Sequence, residues 1–293
     1  MAEEFQNITI IGYGKLGETL AKAFFNLKIL KCIIENNSKK LQKARAELPQ
    51  EVVVSDNFRN IPKDTDIIFL TVSDTAIEKT AKELSSQLAS ALSGKYIVHC
   101  SGALSYKILE SCREYGAKIF SVHPYQTFFY NYPEILKDIC WSIEPEENSE
   151  SVSSLIKLTG GKPFVFNNRT DAERALYHAS AVVASNMLTA LIQTAKDISV
   201  LAGINFKEFF PPIINTTLNN LLNDKNNPLP MTGPYARADI ETIKLHISAL
   251  TAEPELLRNY CLFALSAIDT AHNKKLVAQK DFEEISDFLK KYI

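Results

Sequence analysis
The stretch Ile8-Thr9-Ile10-Ile11-Gly12-Tyr13-Gly14-Lys15-Leu16-Gly17-Glu18-Thr19-Leu20-Ala21 decides the fold. A short β-branched run passes at once into GxGxxG and then into a helical pattern, the context in which this fingerprint carries meaning. Each glycine has its own role. Gly12 permits the tight turn, Gly14 lets the backbone approach a pyrophosphate, and Gly17 lets the helix lie close against the strand. Unpaired N–H groups at the positive end of the helix then receive the anion. The segment Gly12, Tyr13, Gly14, Lys15, Leu16 and Gly17 is the expected seat of a dinucleotide.

Working outward, the first half alternates apolar runs with amphipathic stretches, the rhythm of a parallel sheet covered by helices. The strands expected are Ile8–Ile11, Leu30–Ile34, Val52–Ser55, Asp66–Val72, Tyr96–Cys100, Lys118–Val122, Cys140–Ile143 and Pro163–Phe166. Helices are expected from near Lys15, Lys39, Thr75, Tyr106 and Ser149. After Asn167 only helical periodicity remains: a long helix capped by Asn168 or Thr170 and ended by Gly203, then Phe206–Asn223, Asp239–Ala249, Glu253–His272 and Asp281–Tyr292. Asn226–Ala238, with three prolines, reads as a long irregular connection. The expected architecture is α/β: a doubly wound, mostly parallel Rossmann sheet over residues 1–167, followed by an all-α domain over 168–293.

Composition narrows the partners. Thirty-two basic against 34 acidic side chains, with no basic block, argue against nucleic acid. Five widely spread cysteines without a CxxC pair read as reduced thiols of a cytoplasmic protein, not as a disulfide framework or zinc site. The acidic start running into a strand reads as lacking a signal peptide. Ala175–Ala195 holds no charged residue across 21 positions, which is long enough to span a bilayer. Its polar load, from Tyr177 and His178 to Gln193 and Thr194, reads instead as a helix buried inside the protein on most sides.

The end of the second strand bears on which dinucleotide is bound. Glu35 stands 18 residues after Gly17, near where an acid takes the ribose hydroxyls of NAD. Asn36, Asn37, Ser38, Lys39 and Lys40 follow, and Ser38 with the two lysines suits the extra phosphate of NADP. NADP is favoured over NAD by a small margin.

Beyond the glycine turn, the segments DIIFLTVSDTAI, YIVHCSGALS, FSVHPYQTF, YHASAVVASNMLTAL and MTGPYARADIETIKLH span most of the chain. In that order they resemble a family of Rossmann-like proteins whose helical carboxyl-terminal domain is one of unknown function. Its architecture is similar to that of 6-phosphogluconate dehydrogenase, pyrroline-5-carboxylate reductase and prephenate dehydrogenase. Asn37 stands where the family often has arginine, and Ala238 where it prefers glycine. The resemblance implies that the backbone of Thr71, Val72 and Ser73 lines the cofactor and that the helical half forms a homodimer.

In such a sheet ligands bind outside the carboxyl ends of the strands. Asp74 is expected there as the N-cap of the next helix. Ser101 would orient a substrate oxygen, Gly102 would leave room for the nicotinamide ring, and Cys100 would pack beside the cofactor as a small apolar side chain. His123-Pro124 resembles the His-Pro step that prephenate dehydrogenases place at their substrate pocket. His123 and His178 are the candidates for proton transfer. Asn186, eight residues beyond His178, would share its face and grip the substrate, and Arg237 would fork onto a carboxylate or phosphate. No metal is expected. The resulting expectation is an NAD(P)-dependent oxidoreductase moving a hydride to or from a small, anionic carbonyl, imine or hydroxy-acid substrate. The alternative is a non-enzymatic dinucleotide-binding sensor or scaffold.

Overall fold
The computed structural model describes residues 5–167, 169–223 and 229–293. Asn168, one of the two expected helix caps, and residues 226–228 of the irregular connection lie outside the described residues. The chain forms two compact units, one ending at Ala184 and the other running from Ser185 to Ile293.

The first unit is an eight-stranded sheet with its helices. In chain order it comprises β1 (Ile8–Ile11), α1 (Lys15–Asn26), β2 (Leu30–Ile34), α2 (Ser38–Glu47), β3 (Val53–Ser55), β4 (Ile67–Leu70), α3 (Asp74–Leu88) and β5 (Tyr96–His99). It continues through α4 (Glu110–Arg113), β6 (Lys118–Pro124), β7 (Cys140–Glu144), α5 (Glu150–Leu158), β8 (Lys162–Val165) and α6 (Asp171–Val182). The strand order is β3-β2-β1-β4-β5-β6-β7-β8. Neighbours are parallel except β6 and β7, which are antiparallel. The order reverses between β1 and β4, and that switch point is where a ligand crevice forms.

Strand alternation explains why these runs are apolar throughout. Ile8, Ile10, Phe69, Val98 and Phe120 join one core with Leu20 and Phe24 of α1 and Leu155 of α5. Ile11, Ile34, Ile68, Leu70, Ile97 and Ile119 join the opposite core with Ile77, Ala81 and Leu84 of α3. A sheet covered on both faces has no solvated side to mark with polar residues. Each such side chain contributes roughly 1.5–3 kcal/mol by leaving water.

α6 begins at a capping box: the Thr170 hydroxyl accepts from Glu173 N–H, and the Glu173 carboxylate accepts from Thr170 N–H. The second unit continues with α7 (Leu188–Leu201), α8 (Phe206–Asn223), α9 (Ile240–Leu250), α10 (Pro254–Asn273) and α11 (Gln279–Leu289). Its core joins Ile243, Ile247, Leu257, Cys261, Ile268, Ile285 and Leu289. Asp239 caps α9 by accepting from Thr242 N–H.

Two expectations about the long helix need correction. Asp171–Leu201 is long and apolar enough to cross a membrane by length and composition, yet none of its most apolar window is buried by this chain. Leu176, Val183, Met187 and Val200 are exposed. A lack of charge reads as burial, but nothing within the described chain covers this face. A π-helical turn at Val183–Met187 also interrupts the α-helical spacing on which the pairing of His178 with Asn186 relies. Asn186 itself is exposed.

Candidate dinucleotide and active site
The glycine turn is built by sterics. Gly12 has φ +101°, and a side chain there would press on the Thr71–Val72 peptide at 3.1 Å. A Cβ on Gly17 would overlap the Gly12 carbonyl oxygen and stand 2.6 Å from Thr71 Oγ1. Gly14 differs: a Cβ there would meet only Lys40 Nζ, 4.0 Å away. The middle glycine is thus bare where a ligand would approach, and an ammonium stands over it. α1 has no side-chain cap at Gly14, and its first intrahelical bond is Glu18 N–H to the Gly14 carbonyl. The N–H groups of Lys15, Leu16 and Gly17 precede that bond, and the helix dipole adds to their pull on an anion. Thr71 ties the turn to β4 by donating its hydroxyl to the Gly12 carbonyl at 2.8 Å.

The acid at the end of β2 has another occupation than the one expected. Glu35 is buried, and its two carboxylate oxygens accept from Tyr13 N–H at 2.7 Å and Asn37 N–H at 2.8 Å. Both carboxylate oxygens are therefore tied to the backbone of the turn and of the α2 start. The Tyr13 N–H is likewise taken, and the Tyr13 phenol points inward to Glu47 at 3.1 Å. Asn37 caps α2 by accepting from Lys39 and Lys40 N–H, while Asn36, Ser38 and Lys39 are exposed. An open cavity of about 420 Å³ lies beside them, lined by Gly12, Glu35, Asn36, Asn57, Phe58 and Val72. The bare glycine, the uncapped helix and this cavity fit a dinucleotide phosphate with a nucleoside beside it.

Further along the same sheet edge, a second set of side chains gathers at the ends of β5 and β6. Asp74 is not the cap: Ser73 holds that position without a side-chain cap bond, and Asp74 is the first residue of α3. Its carboxylate accepts from Ser101 Oγ at 2.7 Å. The Ser101 hydroxyl also accepts from Ala103 and Leu104 N–H, and the residue is buried. Ser101 is engaged within the protein, and the exposed group it supports is Asp74. His99 is fully buried and bonded at both nitrogens, Nδ1 accepting from Ser101 N–H and Nε2 facing the Ser105 carbonyl. Burial holds its pKa down to about 4. Cys100 is buried too, which raises its thiol well above the usual range and keeps it inert.

Gly102 leaves room for a ring, but the ring is His123: a Cβ on Gly102 would lie 2.9 Å from its Cε1 and Nε2. The Nδ1 of His123 is 3.0 Å from the Tyr177 hydroxyl, and His178 lies edge-on at 6.2 Å between ring centres. Burial, the neighbouring His178 and the charge of Arg169 lower the pKa of His123 to about 4, against the opposing pull of Asp74. His123 is accordingly neutral at pH 7, a hydrogen-bonding group and not a cationic acid. Tyr177 and Arg169 escape the sequence reading. The signal for Tyr177 is its place beside His178 nearly two turns into a capped helix. Arg169 lies across two rings, its guanidinium carbon 4.2 Å from the Phe166 centroid and 4.7 Å from that of Tyr177.

An ion network fixes this helix start to the sheet. Glu144, at the end of β7 and 1% exposed, accepts from Arg169 Nε at 2.8 Å and from Arg174 Nε at 3.1 Å. Arg174 also donates to the Arg169 carbonyl and to Ser105 Oγ. Arg237, in the helical unit, is exposed and makes no ion pair among the described residues. Among the described residues no group of three or more His, Cys, Asp or Glu is placed to hold a metal ion.

Comparison with known proteins bears on the fold. Residues 7–102 match the family model of NADP oxidoreductases, coenzyme F420-dependent, and residues 139–267 match a domain of unknown function, DUF2520. No curated protein matches the chain. Among solved structures, a candidate NADP oxidoreductase from Bacteroides fragilis is 18% identical with a TM-score of 0.69, covering 90% of this chain and 98% of that one. A pyrroline-5-carboxylate reductase from Coxiella burnetii is 12% identical with a TM-score of 0.57, covering 94% and 100%. A reductive aminase from Aspergillus terreus in complex with NADPH and ethyl-5-oxohexanoate is 12% identical with a TM-score of 0.58, covering 98% and 93%. At such identities the likeness is one of fold. The likeness to the NADP oxidoreductase model thus falls on the first five strands, and the likeness to DUF2520 begins at β7 and runs into the helical unit.

Proposed function
We propose that the protein is an NADP-dependent oxidoreductase acting on a small, anionic carbonyl, imine or hydroxy-acid substrate. The observation that carries the reading is the bare Gly14 under Lys40 at an uncapped helix start. NADP is preferred over NAD because Glu35 is committed to the backbone while Ser38, Lys39 and Lys40 remain for a phosphate. Bound nicotinamide would supply or accept the hydride.

The chain's own residues handle the proton and the orientation. When Tyr177 donates to His123 Nδ1, the imidazole carries its hydrogen on Nε2; as that proton passes to the substrate, the Tyr177 proton would move to Nδ1, and the phenol would recover one from water. The opposite tautomer makes Nε2 an acceptor, so the Tyr177–His123 pair serves either direction of reaction. Asp74 and His178 border this pair, and Ser101 fixes Asp74. The relatives of this architecture supply the likeness that favours reduction: the Bacteroides structure is described as a candidate NADP oxidoreductase, and the Aspergillus enzyme holds NADPH. The uncovered apolar face of the long helix supports a homodimer through the helical half, with a second copy covering Leu176, Val183 and Met187.

Two glycine variants test the cofactor reading. In Gly14→Val the new side chain meets no backbone, so the fold should persist with an unchanged melting curve while NADPH binding falls beyond detection. Gly17→Ala should instead lower the stability of the domain, by about 3 kcal/mol. NADPH affinity that survives Gly14→Val in titration calorimetry rejects the proposed seat.

A further inference from the structure
Among the described residues, five buried side-chain atoms lack a hydrogen-bond partner: Ser111 Oγ, Trp141 Nε1, Ser142 Oγ, Ser286 Oγ and Arg169 Nη1. Only the last belongs to a charged group. A buried, unpaired guanidinium N–H is costly, because the donor has given up water without replacement. The Arg169 side chain is nine-tenths buried. Its Nε is spent on Glu144, and its face is spent on Phe166 and Tyr177. What remains is one N–H edge in the cluster that holds His123.

We propose that Arg169 is the anion-binding residue of this site, its free Nη1 receiving a carboxylate oxygen of the substrate next to His123 and Tyr177. The inference rests on the oxidoreductase reading for its substrate, a 2-oxo or imino carboxylate, and names the residue that recognises it. Guanidinium suits this role because, with Nε held by Glu144, its rigid fork presents the next N–H in a fixed direction. The two rings against its face, Phe166 and Tyr177, are only half-buried. Arg237, the arginine expected from sequence to hold the anion, is exposed and makes no ion pair among the described residues.

Binding there also changes His123. The groups acting on its imidazole are His178, Arg169 and His99, which disfavour its protonation, and Asp74, which favours it. A carboxylate on Arg169 cancels one of the disfavouring charges. Substrate binding would thereby raise the proton affinity of the residue proposed to deliver the proton.

The test uses the full chain with pyruvate as the smallest 2-oxo carboxylate and ethyl pyruvate as its uncharged counterpart. Nitrogen NMR of the arginine guanidinium groups and of the histidine rings is followed during each titration. Pyruvate should shift the Arg169 signal and move the His123 titration towards the ordinary histidine range, and ethyl pyruvate should do neither. Arg169→Lys keeps a charge for Glu144 and should bind pyruvate roughly ten- to a hundredfold more weakly. Should that variant fail to fold, the signals of the unmutated protein still decide. Silence of Arg169 towards pyruvate, an equal response to the ester, or unchanged affinity in Arg169→Lys overturns the assignment. NADPH titrated into the same samples separates the two readings. Pyruvate binding without NADPH binding removes the oxidoreductase and keeps the anion site, whereas the reverse removes the anion site alone.

Discussion

The glycine turn and the imidazole cluster sit on one edge of the same sheet and are made in opposite ways. The turn is assembled from neighbours in sequence, and its shape follows from atoms that are missing at Gly12, Gly14 and Gly17. The cluster draws Asp74, Ser101, His123 and the pair Arg169 and Tyr177 from four separate segments, and its shape follows from which hydrogen bonds and charges meet after folding. A local device survives changes elsewhere in the chain. An assembled one depends on supports that never touch a ligand.

Glu144 is the sharpest place to break that contrast. It lies under the cluster and carries two arginines in a buried site. Removing one member of such a network leaves uncompensated charge and costs about 3–5 kcal/mol. Glu144→Ala should lower the urea midpoint accordingly and release Arg169, Arg174 and the start of α6. The His123–Tyr177 contact would loosen with them, while NADPH still binds the remaining folded protein through the turn. Loss of NADPH binding in step with the cluster would show that the two regions are not independent.

Acid attacks the cluster next. His99 and His123 have pKa values near 4 in the folded chain, against about 6.5 when unfolded. Between these limits the unfolded chain binds more protons, so stability is complete above about pH 6.5 and is lost as pH falls towards 4. Each ring accounts for up to about 3 kcal/mol of this loss. Denaturant midpoints measured at pH 7.5, 6 and 5 should fall steadily, and His99→Gln should flatten part of the slope. A midpoint independent of pH over that range would mean that neither imidazole is held neutral by its surroundings.

The same contrast decides what is legible in the sequence. The turn, β1 and β2 can be read to the residue, because an apolar run, three glycines and a helix start are all local signals. The cluster is legible only in its histidines. Asp74 reads as a cap because it precedes a helix, when its carboxylate instead meets a serine 27 residues away. Gly102 reads as space for a cofactor, and the structure fills that space with His123. Arg169 carries no periodicity, and only the fold shows that Glu144 claims one of its nitrogens and leaves another free. The exposure of Asp171–Leu201 is invisible for a further reason: an uncharged helix reads alike whether its own chain covers it or not.

Steric logic of the kind that shapes the glycine turn can be run backwards at Ala238. This residue stands where the resembling family prefers glycine, and it adopts φ +54°, the left-handed region in which a Cβ crowds the backbone. The chain has kept the turn ahead of α9, including the Asp239 N–H bond to the Pro234 carbonyl at 2.9 Å, and has accepted the strain of a methyl group. Ala238→Gly relieves that strain but adds freedom to the unfolded chain, and the two effects oppose each other. The strain of a left-handed alanine is about 1–2 kcal/mol and the added entropy about half to one. The variant should therefore be more stable by a few tenths to about 1 kcal/mol, with a correspondingly higher melting temperature. A less stable Ala238→Gly would show that the methyl group is held by packing worth more than the strain, since Ala238 adjoins the helical core. In that event backbone sterics would govern the glycine turn without governing its counterpart in the helical half.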